Sequence, residues 1–175
     1  MKKTLIAALC CIVALVAACK KKPVDPEPEP QNVNYAEQYV GNYIGQFTLI
    51  IATMNNEPAT SMSFPIDGIT MDIAKGEQDN TVTATVTVDN ESHQTAGTAT
   101  ADKVDFENVH LKIDKPDQQY AFDLNLKMES VKPTSDSLRV TGTFSGNGLF
   151  AFMGQMNILD EVSGTISGKL AKPQQ

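Results

Sequence analysis

From residue 35 onward, apolar and polar positions alternate with a period of two, the mark of strands with one buried and one wet face. The clearest run is Tyr120-Ala121-Phe122-Asp123-Leu124-Asn125-Leu126-Lys127-Met128-Glu129, large and apolar at even positions and mostly polar at odd ones. Val82, Ala84, Val86 and Val88 alternate with four threonines in the same way, and residues 162–170 repeat the pattern. Further strands are predicted over 43–53, 61–73, 94–101, 104–113 and 138–144, making about eight. Between them lie Asn55-Asn56-Glu57-Pro58, Lys75-Gly76-Glu77, Asp89-Asn90-Glu91, Ala101-Asp102-Lys103, Asp114-Lys115-Pro116-Asp117 and Lys132-Pro133-Thr134. Turn residues at such short spacing predict hairpins, hence an antiparallel meander. Phe150, Met153 and Met156 fall three apart, and this segment is the best candidate for a short helical turn or lid.

Two strands change phase. Met62, Phe64 and Ile66 are even while Ile69, Met71 and Ile73 are odd; Val104 and Phe106 are even while Val109, Leu111 and Ile113 are odd. A bulge or sharp bend near Asp67-Gly68 and Glu107-Asn108 keeps both halves facing the core, a curl that barrel closure demands; strand breaks there are the rival reading. An internal similarity pairs Val140-Thr141-Gly142-Thr143-Phe144-Ser145-Gly146 with Val162-Ser163-Gly164-Thr165-Ile166-Ser167-Gly168. Its glycines share a face with the bulky residues, which implies either tight coiling of the sheet or room for a lined cavity. The stretch from Gly146 to Gly154 reads as a chain crossing that plugs one end of the barrel, or as a flexible lid whose methionine adapts to apolar ligands.

The N-terminus has a different character. Met1-Lys2-Lys3 precedes fifteen uncharged residues, 4–18, and then Cys19. As a helix that run would span about 22 Å, short of the roughly 30 Å hydrocarbon core. A basic start, an apolar middle and small residues before a cut site describe a secretory signal. Residues 19–34 form a tether: Lys20-Lys21-Lys22 lie either against anionic headgroups or in solvent, and the alternating prolines at 23, 26, 28 and 30 favour an extended polyproline spacer. Residues 35–175 form the β-barrel domain.

The 175 residues hold one medium domain, 41% hydrophobic and 20% charged, a globular composition. Loss of residues 1–18 removes two lysines and no acid, leaving 12 basic against 21 acidic residues, a net charge of −9. That charge disfavours nucleic acid. Cys10 and Cys11 leave with the signal, so the mature domain has neither a disulfide nor a cysteine metal ligand. Only His93 and His110 remain as imidazoles: His93 in a turn-like stretch and solvated, His110 pointing outward. Neither sits in a Gly-x-Ser-x-Gly, HExxH or calcium-loop pattern, and no phosphate or dinucleotide loop is present. The sequence therefore predicts no enzyme, no cofactor and no metal site.

Leu15-Val16-Ala17-Ala18-Cys19 resembles the lipobox of bacterial lipoproteins. The resemblance implies cleavage between Ala18 and Cys19, acylation of Cys19 by chains such as palmitate, and anchoring of an exported protein in a membrane, most simply the cell outer membrane. Two or three chains make such anchoring stable. Together with the Pro-rich tether, the Tyr39-Val40-Gly41-Asn42-Tyr43-Ile44-Gly45 opening and eight short strands, the chain resembles the calycin-like, or lipocalin-like, β-barrel lipoproteins of Bacteroidetes. Gly41-Asn42-Tyr43 is similar to the Gly-x-Trp motif at the lipocalin barrel floor. The expected fold is an all-β, closed or nearly closed calycin-like barrel. One functional reading is a barrel binding a small hydrophobic ligand or envelope component among Tyr43, Phe47, Phe122, Leu124, Leu126, Phe144, Phe150 and Met153. The alternative is a protein-interaction module with a solid core, docking another envelope protein. An enclosed apolar cavity of several hundred Å³ favours the first; a filled barrel with an exposed apolar patch favours the second.

Overall fold

The computed structural model describes residues 33–134 and 136–173, without the side chains of Ser61, Lys132 and Pro133. The signal segment, Cys19 and the tether up to residue 32 lie outside the described residues. Eight antiparallel strands form a closed meander: β1 (Gly41–Met54), β2 (Glu57–Lys75), β3 (Thr81–Val88), β4 (Glu91–Ala99), β5 (Lys103–Lys115), β6 (Tyr120–Thr134), β7 (Ser137–Phe152) and β8 (Gln155–Ala171). Each strand pairs with the next in sequence, and β1 returns to β8, with Ile44 opposite Ala171.

Both expected phase changes are bulges. Gly45 pairs with Ile69 and Phe47 with Ile66, so Asp67 and Gly68 together oppose Gln46; Gly68 has φ +72°. Phe106 pairs with Met128 and Val109 with Leu126, so Glu107 and Asn108 oppose Lys127, with Asn108 at φ +57°. Ile66, Ile69, Phe106 and Val109 are all buried, which is what the extra residue achieves. A third bulge, outside the expected strands, sets Asp160 and Glu161 opposite Asn147 and keeps Leu159 and Val162 inside.

The segment expected as a helical turn or lid is instead a continuous hairpin. β7 runs on to Phe152, β8 begins at Gln155, and Met153 (φ +51°) and Gly154 (φ +76°) make the two-residue turn between them. Asn55-Asn56 and Asp89-Asn90 turn the chain with the same pair of positive φ angles, which match the twist of the flanking strands. The turn expected at Lys132-Pro133-Thr134 comes slightly later, because β6 continues to Thr134 and Thr134 pairs with Ser137.

One barrel end is stopped by a 3₁₀ turn, Tyr35–Tyr39. Asn34 accepts the Ala36 amide at 3.0 Å and the Asn80 amide at 3.2 Å, tying the turn to the β2–β3 loop. Buried Tyr39 donates its hydroxyl to the Thr100 carbonyl at 3.2 Å, and Tyr43 donates to the Tyr39 carbonyl at 3.1 Å. The opposite end is closed by aromatic rings. β3 reaches β2 only from Thr70 to Lys75, so among the described residues the first part of β2 pairs with β1 alone. Phe64 from that overhang meets Tyr120, Phe122 and Phe150 edge to face, with centroids 5.2, 5.1 and 5.8 Å away. The Tyr120 hydroxyl donates to the Pro65 carbonyl at 2.7 Å. Proline on such an edge withholds the N–H that another strand would need.

Candidate functional site

Seven of the eight residues expected to line the interior do so: Tyr43, Phe47, Phe122, Leu124, Leu126, Phe144 and Phe150 are at most 5% exposed. Met153 does not. It is 88% exposed, because the hairpin turn holds it at positive φ and aims its side chain away from the sheet.

The inward glycines are partners of rings. Phe47 lies opposite Gly168, Phe106 opposite Gly97, Phe122 opposite Gly148 and Phe144 opposite Gly164. A Cβ built on Gly97 would come within 2.6 Å of the Phe106 ring, and one on Gly164 within 2.8 Å of the Phe144 ring. Cβ atoms on Gly142 and Gly146 would strike the backbone carbonyls of Lys127 and Asp123. Of the two readings of these glycines, the structure takes close packing: the space each leaves is occupied by a ring or a neighbouring strand.

Burial also sets the tyrosine chemistry. The hydroxyls of Tyr39, Tyr43 and Tyr120 are held above their ordinary pKa of 10.0, first by desolvation and then by Asp102, by Asp136, and by Asp89 and Asp67 respectively. A raised pKa means that the fold favours the neutral hydroxyl. The stabilisation is therefore complete below about pH 10 and is lost as pH rises through the folded-state values. The denaturation midpoint should stay level across neutral pH and fall above about pH 10. Urea melts at stepped alkaline pH, with tyrosinate absorbance as the second readout, check this; a flat profile would contradict it.

His110 lies on the outer face as expected, its side chain 41% exposed, but His93 is not free in solvent and the two rings meet. The β4–β5 ladder ends at Gly97–Phe106, and beyond it side chains continue the seam. Thr95 donates to the Glu107 carbonyl at 2.9 Å, His93 meets His110 edge to face at 4.7 Å, and Glu91 lies 3.7 Å from Lys112. Asp89 and Lys115 close the row as an ion pair. His93 shares its sheet phase with buried Thr95, so its ring is half-buried rather than free in solvent. His110 spends its Nε2 on Asp123 at 2.6 Å. Among the described residues no three His, Cys, Asp or Glu side chains converge on a point where a metal ion could sit.

The outer face offers the most distinctive surface. Across β5, β6, β7 and β8 the register sets Asp114, Ala121, Leu149 and Ile158 in one row. Ala151 and Met156 form the next row toward the hairpin tip. Leu149 is 37% exposed, Met156 58% and Ile158 71%, and Met153 at the turn is exposed as well. Beside this row the face sinks into a groove of about 500 Å³. Lys112, Asp114, Asp123, Asn147 and Asp160 rim it. A second depression of about 450 Å³ adjoins it and shares Asp114, Ala121 and Leu149. Sequence reasoning missed this site. The available signal was apolar residues in both phases of 149–152 and of 156–159, where a strand wet on one side should alternate.

No family model matches the chain, and no curated protein matches it. Among solved structures it is similar to a multidomain protein including DUF1735 from Bacteroides ovatus, at 14% sequence identity and a TM-score of 0.30. The similarity covers 75% of this chain and 48% of that one, so the chain spans about half the length of the protein it matches.

Proposed function

We propose that this chain is a non-enzymatic, calycin-like lipoprotein of the bacterial cell envelope, anchored in the outer membrane through Cys19. Its barrel serves as a docking module for another envelope protein. The observation that carries this reading is the contiguous apolar strip of Leu149, Met156 and Ile158 on the outside of a barrel whose inward rings stand on glycines. Exposed apolar surface of this extent, beside a groove, is what a protein contact leaves uncovered in the free partner. The anchor rests on the lipobox and the tether.

Two measurements test the proposal in the native host. Radiolabelled palmitate should enter the wild-type protein and be absent from Cys19→Ala, which should move almost wholly to the soluble fraction on lysis. A photo-crosslinking residue at Leu149, Met156 or Ile158 should give a discrete adduct, while one at Thr85 on the outer face of β3 gives none. Unlabelled wild-type protein would overturn the anchor, and no adduct from the strip would overturn docking. A small lipid co-purifying in native mass spectrometry would restore the reading of an interior ligand.

A further inference from the structure

The groove's rim dictates the chemistry of what it accepts. We infer that its occupant is a segment of a partner protein carrying apolar side chains flanked by lysine or arginine, an amphipathic basic stretch laid across β6, β7 and β8. The inference rests on the docking reading above and specifies the partner.

Three acids, Asp114, Asp123 and Asp160, surround the apolar floor. Lys112 is the one cation among the described lining residues, and it already faces Glu91 at 3.7 Å. Asp123 is engaged by His110, whereas Asp114 and Asp160 are exposed and make no ion pair among the described residues. An incoming cation would find two carboxylates on opposite strands, one on β5 and one on β8, with Ala121, Leu149 and Ile158 between them. That spacing suits a segment with a charge at each border and an apolar middle. Met156 and Met153 beside it are unbranched and repack around whatever shape arrives.

The two rival occupants meet the same charges with the wrong sign. A second copy would set Asp114 and Asp160 against acids of its own. An anionic bilayer would be repelled by the same pair. The strip also lies toward the β7–β8 turn, whereas the chain enters the barrel at Asn34 beside the β2–β3 loop, at the opposite end of the strands.

The test uses the full mature chain with Cys19→Ala, which keeps everything but the acyl group. Three probes are offered: a synthetic helical peptide of leucine and lysine, the same peptide with glutamate for lysine, and vesicles of phosphatidylethanolamine and phosphatidylglycerol. The lysine peptide should bind at least ~10-fold more tightly than its glutamate counterpart and weaken as salt rises. Ile158→Ser should reduce its binding ~10-fold, and Asp114→Lys with Asp160→Lys should reverse the preference between the peptides. Circular dichroism of each variant controls for folding. Equal binding of the two peptides, or of neither, overturns the basic-partner inference. Docking itself is judged separately by the crosslinks at Ile158. Vesicle binding, or concentration-dependent dimers in sedimentation, would overturn it by placing a bilayer or a second copy in the groove.

Discussion

Replacing Phe47 with alanine is expected to destabilise the barrel by about 3–5 kcal/mol, the range for deleting a buried ring whose surroundings cannot collapse. Phe47 is fully buried on β1, opposite Gly168 on β8. The reverse change, Gly168→Ala, should cost about 1–3 kcal/mol, since the new methyl would press on the Phe47 ring and come within 2.5 Å of the Gln46 carbonyl. Made together, the two should cost less than their sum by about 1 kcal/mol, because the methyl moves into space the ring has left. Urea unfolding followed by far-ultraviolet circular dichroism gives all three values. If Phe47→Ala cost under about 1 kcal/mol, the ring would border empty space and the interior would return as a ligand site.

Phe64→Ala should cost about 3 kcal/mol, from lost apolar burial plus three edge-to-face contacts worth roughly 0.5–1.5 kcal/mol each at most. Its second effect distinguishes it from Phe47→Ala. Phe64 packs over Tyr120, Phe122 and Phe150 at the end where β3 and β4 fall short, so its removal unseals the core. An apolar fluorescent dye should bind the variant in the native range of urea and not the wild type. Phe64→Leu, which refills most of the volume, should abolish the dye signal while still losing about 1 kcal/mol. Unchanged stability and no dye binding in the alanine variant would show that the aromatic cluster does not close this end.

The alternation in β3 and β6 is legible because those strands have a polar outer face, and the bulges at Asp67-Gly68 and Glu107-Asn108 are legible because each inverts the phase of a long apolar run. The β7–β8 hairpin resists the same reading. Its turn puts methionine at positive φ, where asparagine or glycine is the usual signal, and its strands are apolar on both faces. Spacing by threes at Phe150, Met153 and Met156 therefore looks helical although Phe150 and Met156 sit on different strands. His93 is misplaced for a related reason: the turn ends at Asn90, and β4 takes in the polar residues that follow. The groove depends on the register of four strands at once, which no local pattern encodes.

Closure of the barrel has a kinetic side. Seven of the eight strand junctions join neighbours in sequence, and the eighth brings Ile44 to Ala171, near the two limits of the domain. Gathering ends that far apart costs on the order of 4 kcal/mol of chain entropy, which a hairpin never faces. A chain made N-terminus first can zip β1 through β7 as it appears, yet its first strand keeps a bare flank until the last has been synthesised. The nascent sheet is thus most vulnerable to wrong pairing along β1 in the interval before β8 arrives.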